Sequence, residues 1–167
     1  MRWRSVSATH VGLVRKVNED AVLDRPDIGV WAVADGMGGH SAGDVASQML
    51  VESLGRLRVP ADLSTFVEFA EHNILAVNDR LLDLSRARHQ VIGSTIVTLL
   101  MRERHCAFLW AGDSRLYRLR EGEIAQLTTD HSQVEQYVQQ GLLSREDAQF
   151  HPDNNLITRA VGATQAL

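Results

Sequence analysis

The stretch that most constrains the fold is GVWAVADGMGGHSAG, residues 29–43, in which an apolar run leads into a glycine-rich segment. A short apolar run bounded by glycines is typical of a buried strand. The run from 29 to 35 therefore predicts a strand that ends at Asp35. Glycine-rich turns between a strand and a helix often cradle phosphate through backbone N–H groups. The carboxylate of Asp35, however, would repel a phosphate at that place.

Periodic patterns predict the other elements. Two long helices are expected after the glycines, the first capped by Ser41 or Asp44 and the second after Pro60. Their apolar stripes are Val45, Ala46, Met49, Leu50, Leu54 and Leu57, then Phe66, Val67, Ala70, Ile74, Val77, Leu81 and Leu84. Short strands are predicted at 3–10, 21–24, 94–102, 105–113, 115–121 and 123–129, with a hairpin turn at Glu121-Gly122 and polar helices within 130–152. This order predicts a layered α+β domain with antiparallel sheets.

Composition limits the class of protein and its partners. The 167 residues suit one domain, and a formal net charge of −4 offers no basic surface for nucleic acid or an anionic membrane. No apolar run approaches the ~20 residues of a spanning helix. The single Cys106 excludes an internal disulfide and fits a reducing compartment, so we expect a cytoplasmic protein. A monomer is also expected. Cys106 is expected to be buried, and the tryptophans Trp3, Trp31 and Trp110 are expected in the core.

Acidic residues stand at the predicted strand ends. Glu19 and Asp20 precede one strand, Asp35 ends the next, and Asp113 ends a third. Carboxylates that converge at a sheet end repel one another unless cations lie between them, and hard oxygen ligands favour Mg²⁺ or Mn²⁺. Through such cations Asp35 can help to bind a phosphate, with the carbonyl of Gly36 beside the metal. Two cations about 3.5–4 Å apart can share a water that attacks phosphorus in line.

Other catalytic arrangements are missing from the sequence. No Gly-Lys-Ser/Thr follows the glycines, so the loop is not a P-loop. Ser114 lacks a glycine two residues later, which excludes a nucleophile elbow. The histidines have no zinc-like spacing with Cys106. A covalent nucleophile therefore has no candidate.

Five motifs in order resemble the bacterial branch of the metal-dependent protein phosphatase 2C family. They are R-x-x-x-E-D, V-A-D-G-M-G-G-H-x-A-G-x-x-A-S, G-S-T, A-G-D-S-R-x-Y and L-T-x-D-H-S, and the resemblance extends from Thr9 to Val161. It implies a Ser/Thr phosphoprotein phosphatase with an antiparallel β-sandwich flanked by helix pairs. It also implies two Mn²⁺ or Mg²⁺ ions, and a third in some members.

The resemblance assigns roles to particular residues. Arg15 matches the arginine that clamps the substrate phosphate, and Glu19 and Asp20 match the acidic pair that holds metal-bound waters. Asp35 matches the aspartate that bridges both metals, and Gly36 matches the glycine whose carbonyl binds the second metal. Asp113 matches a carboxylate that binds a third, weaker metal. The segment 130–152 matches the mobile flap that helps to select substrates.

Two departures from the family pattern follow. Some eukaryotic members place a histidine, a proposed general acid, where this chain has Met37. His40 lies three residues later and is expected to be structural. The family's downstream Ser-Asp-Gly turn and Asp-Asn pair do not occur, and the stretch 156–167 begins like a strand and then stops. We therefore expect a single phosphatase domain over 1–167 that comprises the N-terminal two-thirds of the fold and is inactive by itself.

The expected activity is hydrolysis of phosphoserine and phosphothreonine in proteins by metal-activated water. Expected partners are phosphorylated proteins and a bacterial Ser/Thr kinase system, and some relatives work beside secretion machinery. Two alternatives remain open: a non-catalytic pseudophosphatase that binds phosphoproteins or regulates a kinase, and hydrolysis of a small phosphorylated metabolite. The presence of Arg15, Asp20, Asp35 and Gly36 argues against the pseudophosphatase.

Overall fold

The fold is known from a computed structural model that describes residues 3–38 and 42–167. The predictions for His40 and for Ser41 as a helix cap lie outside the described residues. Within those ranges no helix combines the length and apolar character needed to cross a membrane.

An antiparallel five-stranded sheet forms the centre of the domain, with the order β1-β2-β4-β5 and with β3 paired to β2. Its strands are β1 Asp20–Arg25, β2 Val30–Gly38, β3 Ile92–Ser94, β4 Ile96–Arg102 and β5 His105–Ala111. The predicted strand at 21–24 is confirmed. The strand predicted to end at Asp35 continues to Gly38, because β3 supplies partners for its last three residues. The strand predicted at 94–102 is interrupted at Thr95.

A tight turn between β1 and β2 sets the register of the first two strands. The amide of Gly29 donates to the carbonyl of Arg25 at 2.9 Å. Gly29 has a positive φ of 75°, and a Cβ there would lie 2.4 Å from the carbonyl oxygen of Met101, so only glycine fits. From this turn the pairing runs back to Asp20 opposite Asp35.

Two long helices pack their apolar stripes against the sheet, as the periodicity predicts. They are α1 Ala42–Gly55 and α2 Leu63–Arg88. Leu50, Leu54 and Phe66 are fully buried in the core they share with β2 and β4. The side chain of Asp62 caps α2 by accepting from the Thr65 amide at 2.8 Å. The predicted α+β class with antiparallel sheets and a flanking helix pair is confirmed.

A smaller part of the chain follows the central sheet. It contains the hairpin of β6 Tyr117–Arg120 and β7 Glu123–Gln126, then the short helices α3 Gln133–Gln139 and α4 Arg145–Ala148. The predicted turn at Glu121-Gly122 is confirmed: both residues have positive φ, 53° and 85°, as a two-residue hairpin turn requires.

Two predicted strands do not form. Residues 3–10 are not assigned to a strand, and Val6 within them is 96% exposed, so alternation alone was misleading there. The stretch 156–167 makes only isolated bridges, Ser94 with Val161 and Ser132 with Ile157. A strand needs a ladder of hydrogen bonds to a neighbour, and no such ladder exists for these segments in the described part of the chain.

The predictions for the tryptophans and the cysteine were also wrong. Trp3, Trp31 and Trp110 are half-buried. The indole N–H of Trp31 and that of Trp110 each reach an acceptor at the surface, as is common for this side chain. Trp110, for example, donates to the carbonyl of Thr129 at 2.8 Å. Cys106 is exposed together with His105, since the start of the edge strand β5 is open to solvent on both faces.

Candidate functional site

Two aspartates face each other across the first strand pair. Asp20 begins β1 and lies directly opposite Asp35 of β2 in the antiparallel register. Side chains at such positions have Cβ atoms roughly 4.5–5.5 Å apart, and like charges there destabilise a sheet. The fold therefore holds two carboxylates together at a cost in stability.

The pKa of Asp35 is raised by its surroundings. Loss of water around its carboxyl group raises the pKa of Asp35 to about 6, assisted by the charges of Asp20 and Asp113 and by a hydrogen bond with Asp20. The charge of Arg15 acts in the opposite direction. Four of the residues singled out in the sequence thus meet within electrostatic reach of one another.

A close contact between β2 and α1 brings a carbonyl and a further carboxylate to the same place. A Cβ on Gly36 would lie 2.0 Å from the carbonyl oxygen of Gly43, so β2 and α1 touch through their backbones. The point that a Cβ on Gly43 would occupy lies 2.6 Å from Glu19 Oε1 and 2.8 Å from the Gly36 carbonyl oxygen. The carbonyl of Glu19 accepts from the Gly36 amide at 3.0 Å and from Ser47 Oγ at 2.6 Å. Glu19 is thereby fixed beside Gly36.

Arg15 lies on the loop that leads into β1, with its side chain 78% exposed. Its Nη1 is 3.9 Å from Glu19 Oε2, a contact too long and too solvated to contribute much stability. The guanidinium is therefore available to a ligand while it remains close to the acidic residues.

Asp113 reaches the cluster from a turn after β5 and not from the strand itself, which ends at Ala111. Gly112 precedes it with φ of +111°, a conformation that favours glycine. Beyond the turn, Arg115 forms an ion pair with Asp130 at 2.6 Å. This pair ties the turn to the segment that contains α3 and α4.

Two residues at the site had a signal in the sequence but no role assigned to them. Thr95 of the G-S-T motif accepts from the Asp35 amide at 3.0 Å. His131 of the D-H-S motif accepts through Nδ1 from the Gly112 amide at 3.2 Å and stacks on Trp110. Residue type alone could not show that Thr95 bonds the backbone of Asp35, or that His131 supports the turn before Asp113.

The donors present suit a hard divalent cation in their chemistry. Within residues 3–38 and 42–167, no group of three or more His, Cys, Asp or Glu side chains is arranged to hold a metal directly. Mg²⁺, however, commonly keeps several waters and takes only one or two carboxylates from the protein. The opposed pair Asp20 and Asp35, with the Gly36 carbonyl beside them, offers such a partial set. A cation would also relieve the repulsion from Asp20 and Asp113, which adds to the effect of lost water on the pKa of Asp35.

Comparison with known families assigns the chain to a family. The sequence profile described as "Protein phosphatase 2C" matches residues 14–160, which include Arg15, the acidic cluster and the Asp113 turn. The chain belongs to the protein phosphatase 2C family.

Solved and curated members of the protein phosphatase 2C family agree with this assignment. A structure described as PppA, a key regulatory component of T6SS in Pseudomonas aeruginosa, is 43% identical with a TM-score of 0.90, over 100% of this chain and 69% of that one. The catalytic domain of the phosphatase PstP in complex with two manganese ions is 33% identical with a TM-score of 0.78, over 90% and 63%. The protein phosphatase PhpP of Streptococcus pneumoniae is 35% identical over 92% of this chain. The chain spans 65% of the length of PhpP.

Proposed function

We propose that the protein is a metal-dependent phosphatase that hydrolyses phosphoserine and phosphothreonine in proteins. The observation that carries this proposal is the pair Asp20 and Asp35, held directly opposite each other beside the exposed guanidinium of Arg15. The two carboxylates suit the binding of divalent cations, and the neighbouring arginine suits the binding of a phosphate. Relatives named protein phosphatase PhpP and serine/threonine protein phosphatase PstP support the same activity.

Two Mn²⁺ or Mg²⁺ ions are proposed at the cluster, consistent with the two manganese ions of PstP. Asp35 would bind both, the Gly36 carbonyl would bind one, and Glu19 and Asp20 would hold coordinated waters. When bound, the ions would act as Lewis acids and supply a nucleophilic water of lowered pKa. Asp113 is proposed as a ligand of a third, weaker ion.

Arg15 is proposed to bind the phosphate of the substrate. Its planar guanidinium can donate two parallel hydrogen bonds to phosphate oxygens, a geometry that lysine cannot reproduce. Because its contact with Glu19 is long, little has to be broken before a phosphate binds. Arg15 then orients the phosphorus atom toward the acidic residues.

The segment 130–152 is proposed as a flap that contacts the polypeptide on either side of the phosphorylated residue. A cleft of about 650 Å³ separates it from the Asp113 turn. The walls of the cleft carry two ion pairs, Arg115 with Asp130 and Arg145 with Glu135. Polar walls of this kind suit a solvated peptide better than an apolar ligand.

The proposed partners are phosphoproteins of a bacterial Ser/Thr kinase system. The likeness to PppA, described as a regulatory component of T6SS, adds a link to secretion machinery to this proposal. A non-catalytic role is less well supported, because Arg15, Asp20, Asp35 and Gly36 are all present.

Phosphate release from a phosphothreonine peptide by the full gene product tests the proposal. We expect release with Mn²⁺, none after chelation by EDTA, and recovery when Mn²⁺ is restored. Asp35→Asn should lower kcat by orders of magnitude, whereas the control Asp79→Asn, an exposed aspartate of α2, should behave as wild type. Turnover that is insensitive to EDTA, or an Asp35→Asn variant with normal kcat, would refute the proposal.

A further inference from the structure

Thr95 lies where β2 changes its hydrogen-bonding partner. The first residues of β2, from Val30 to Val33, pair with β4, and its last three residues pair with β3. Thr95 separates β3 from β4, and Asp35 lies opposite this break. The Thr95 amide donates to the Asp35 carbonyl at 2.9 Å, and the Asp35 amide donates to Thr95 Oγ1 at 3.0 Å. A side-chain hydroxyl thus accepts the bond that a continuous strand would have accepted through its backbone.

The same side chain also contacts the turn that carries Asp113. Thr95 Oγ1 shares a hydrogen bond of 2.7 Å with Ser114 Oγ. Gly112 rests on the threonine so closely that a Cβ there would lie 2.6 Å from Thr95 Cγ2. Thr95 is 1% exposed, so these contacts are made inside the protein and away from solvent.

We propose that Thr95 is a positioning residue that fixes the carboxylates of Asp35 and Asp113 relative to each other for divalent-cation binding. The inference rests on the proposed function, because it takes both aspartates as metal ligands. The single hydroxyl of Thr95 bonds the Asp35 amide and Ser114 Oγ together, so it holds both segments in one geometry. Groups that orient metal ligands in this way typically change metal affinity when they are lost.

A threonine without contact to the cluster provides a matched control. Thr98 of β4 is 0% exposed, and its Oγ1 donates to the Trp31 carbonyl at 3.0 Å. Thr95→Val and Thr98→Val each replace one buried hydroxyl by a methyl group of similar size. Both variants should therefore lose thermal stability, but only Thr95→Val alters the support of Asp35.

Calorimetric titration of the full chain with Mn²⁺ tests the proposal. We expect Thr95→Val to weaken Mn²⁺ binding about 10- to 100-fold, the usual range for a lost supporting group. Thr98→Val should keep the wild-type affinity. Thr95→Ser should recover most of the affinity, because it retains the hydroxyl.

Three results would overturn the proposal: wild-type Mn²⁺ affinity in Thr95→Val, an equal loss in Thr95→Ser and Thr95→Val, or an equal loss in Thr98→Val. If circular dichroism shows Thr95→Val to be unfolded, Ser114→Ala removes the partner hydroxyl from a half-buried turn instead. It should weaken Mn²⁺ binding, and unchanged binding would also overturn the proposal. Failure of the proposed function is separate, because it would appear in the wild-type protein as absent Mn²⁺ binding or absent phosphate release.

Discussion

Replacement of Asp35 by asparagine should stabilise the metal-free protein at neutral pH while it removes metal binding. The pKa of Asp35 is raised from its ordinary value of 3.8 to about 6, so the folded state holds the proton more tightly than the unfolded state does. The resulting stability is present below pH 3.8 and is lost as the pH rises through 6. At pH 7.5 the charged carboxylate therefore opposes folding.

The size of this effect follows from the pKa. One pKa unit is equivalent to about 1.4 kcal/mol, so the full difference would be roughly 3 kcal/mol. Because Asp35 retains substantial exposure to solvent, both the desolvation and the repulsion are partly screened, and we expect about 1 kcal/mol. For a chain of this size that is a rise in Tm of about 2–4 °C.

Thermal unfolding in EDTA, followed by circular dichroism at pH 7.5 and at pH 3.5, measures this effect. Asp35→Asn should have the higher Tm at pH 7.5, and the difference should shrink at pH 3.5. Addition of Mn²⁺ should raise the Tm of the wild type much more than that of the variant, since a ligand stabilises only a state that binds it. The control Asp79→Asn should not change the Tm at either pH. A lower Tm for metal-free Asp35→Asn at pH 7.5 would show that the cluster is not repulsive.

Three further predictions concern the surroundings of the cluster. Arg15→Ala should raise KM for a phosphopeptide about tenfold or more with little change in kcat, because charge-assisted hydrogen bonds contribute about 1.5–3 kcal/mol each. The control is Arg58→Ala at an exposed position, and an unchanged KM in Arg15→Ala would contradict the phosphate role. Gly43→Ala should lower the free energy of unfolding by about 1–3 kcal/mol, since its Cβ would lie 2.7 Å from the Gly36 carbonyl carbon. Denaturant titration measures this change, and an unchanged unfolding midpoint would refute the contact. Burial, and then the charge of Arg159, lowers the pKa of His131, so the free energy of unfolding should fall as the pH drops below 6.5. His131→Asn should reduce this loss of stability in melts at acidic pH, and the same loss in both proteins would contradict the prediction.

The elements that the sequence predicts well are those with strong local periodicity. The two helix stripes, the apolar strand β2 and the hairpin turn at Glu121-Gly122 each follow from residue spacing or turn chemistry alone. The convergence of the carboxylates was also predictable, because strand ends meet at one edge of a sheet. Asp35 and Asp113 do act on each other electrostatically, as their positions suggested.

The features that were missed depend on which neighbour a segment finds in the fold. Alternation at 3–10 does not show whether another strand is present to pair with it. Cys106 has an apolar context in the sequence, but its exposure follows from the position of β5 at the sheet edge. The role of Thr95 depends on the place where β2 stops pairing with β4 and begins pairing with β3. This place is set by how the three strands assemble, which the local sequence does not show.

A calorimetric Mn²⁺ titration at pH 7.5 tests the metal site most directly, with the wild-type full gene product beside its double variant Asp20→Asn, Asp35→Asn. We expect Mn²⁺ binding by the wild type and none by the variant, because the opposed carboxylates supply the charge that holds the cation. Equal binding by both proteins, or no binding by a folded wild-type protein, would contradict this expectation.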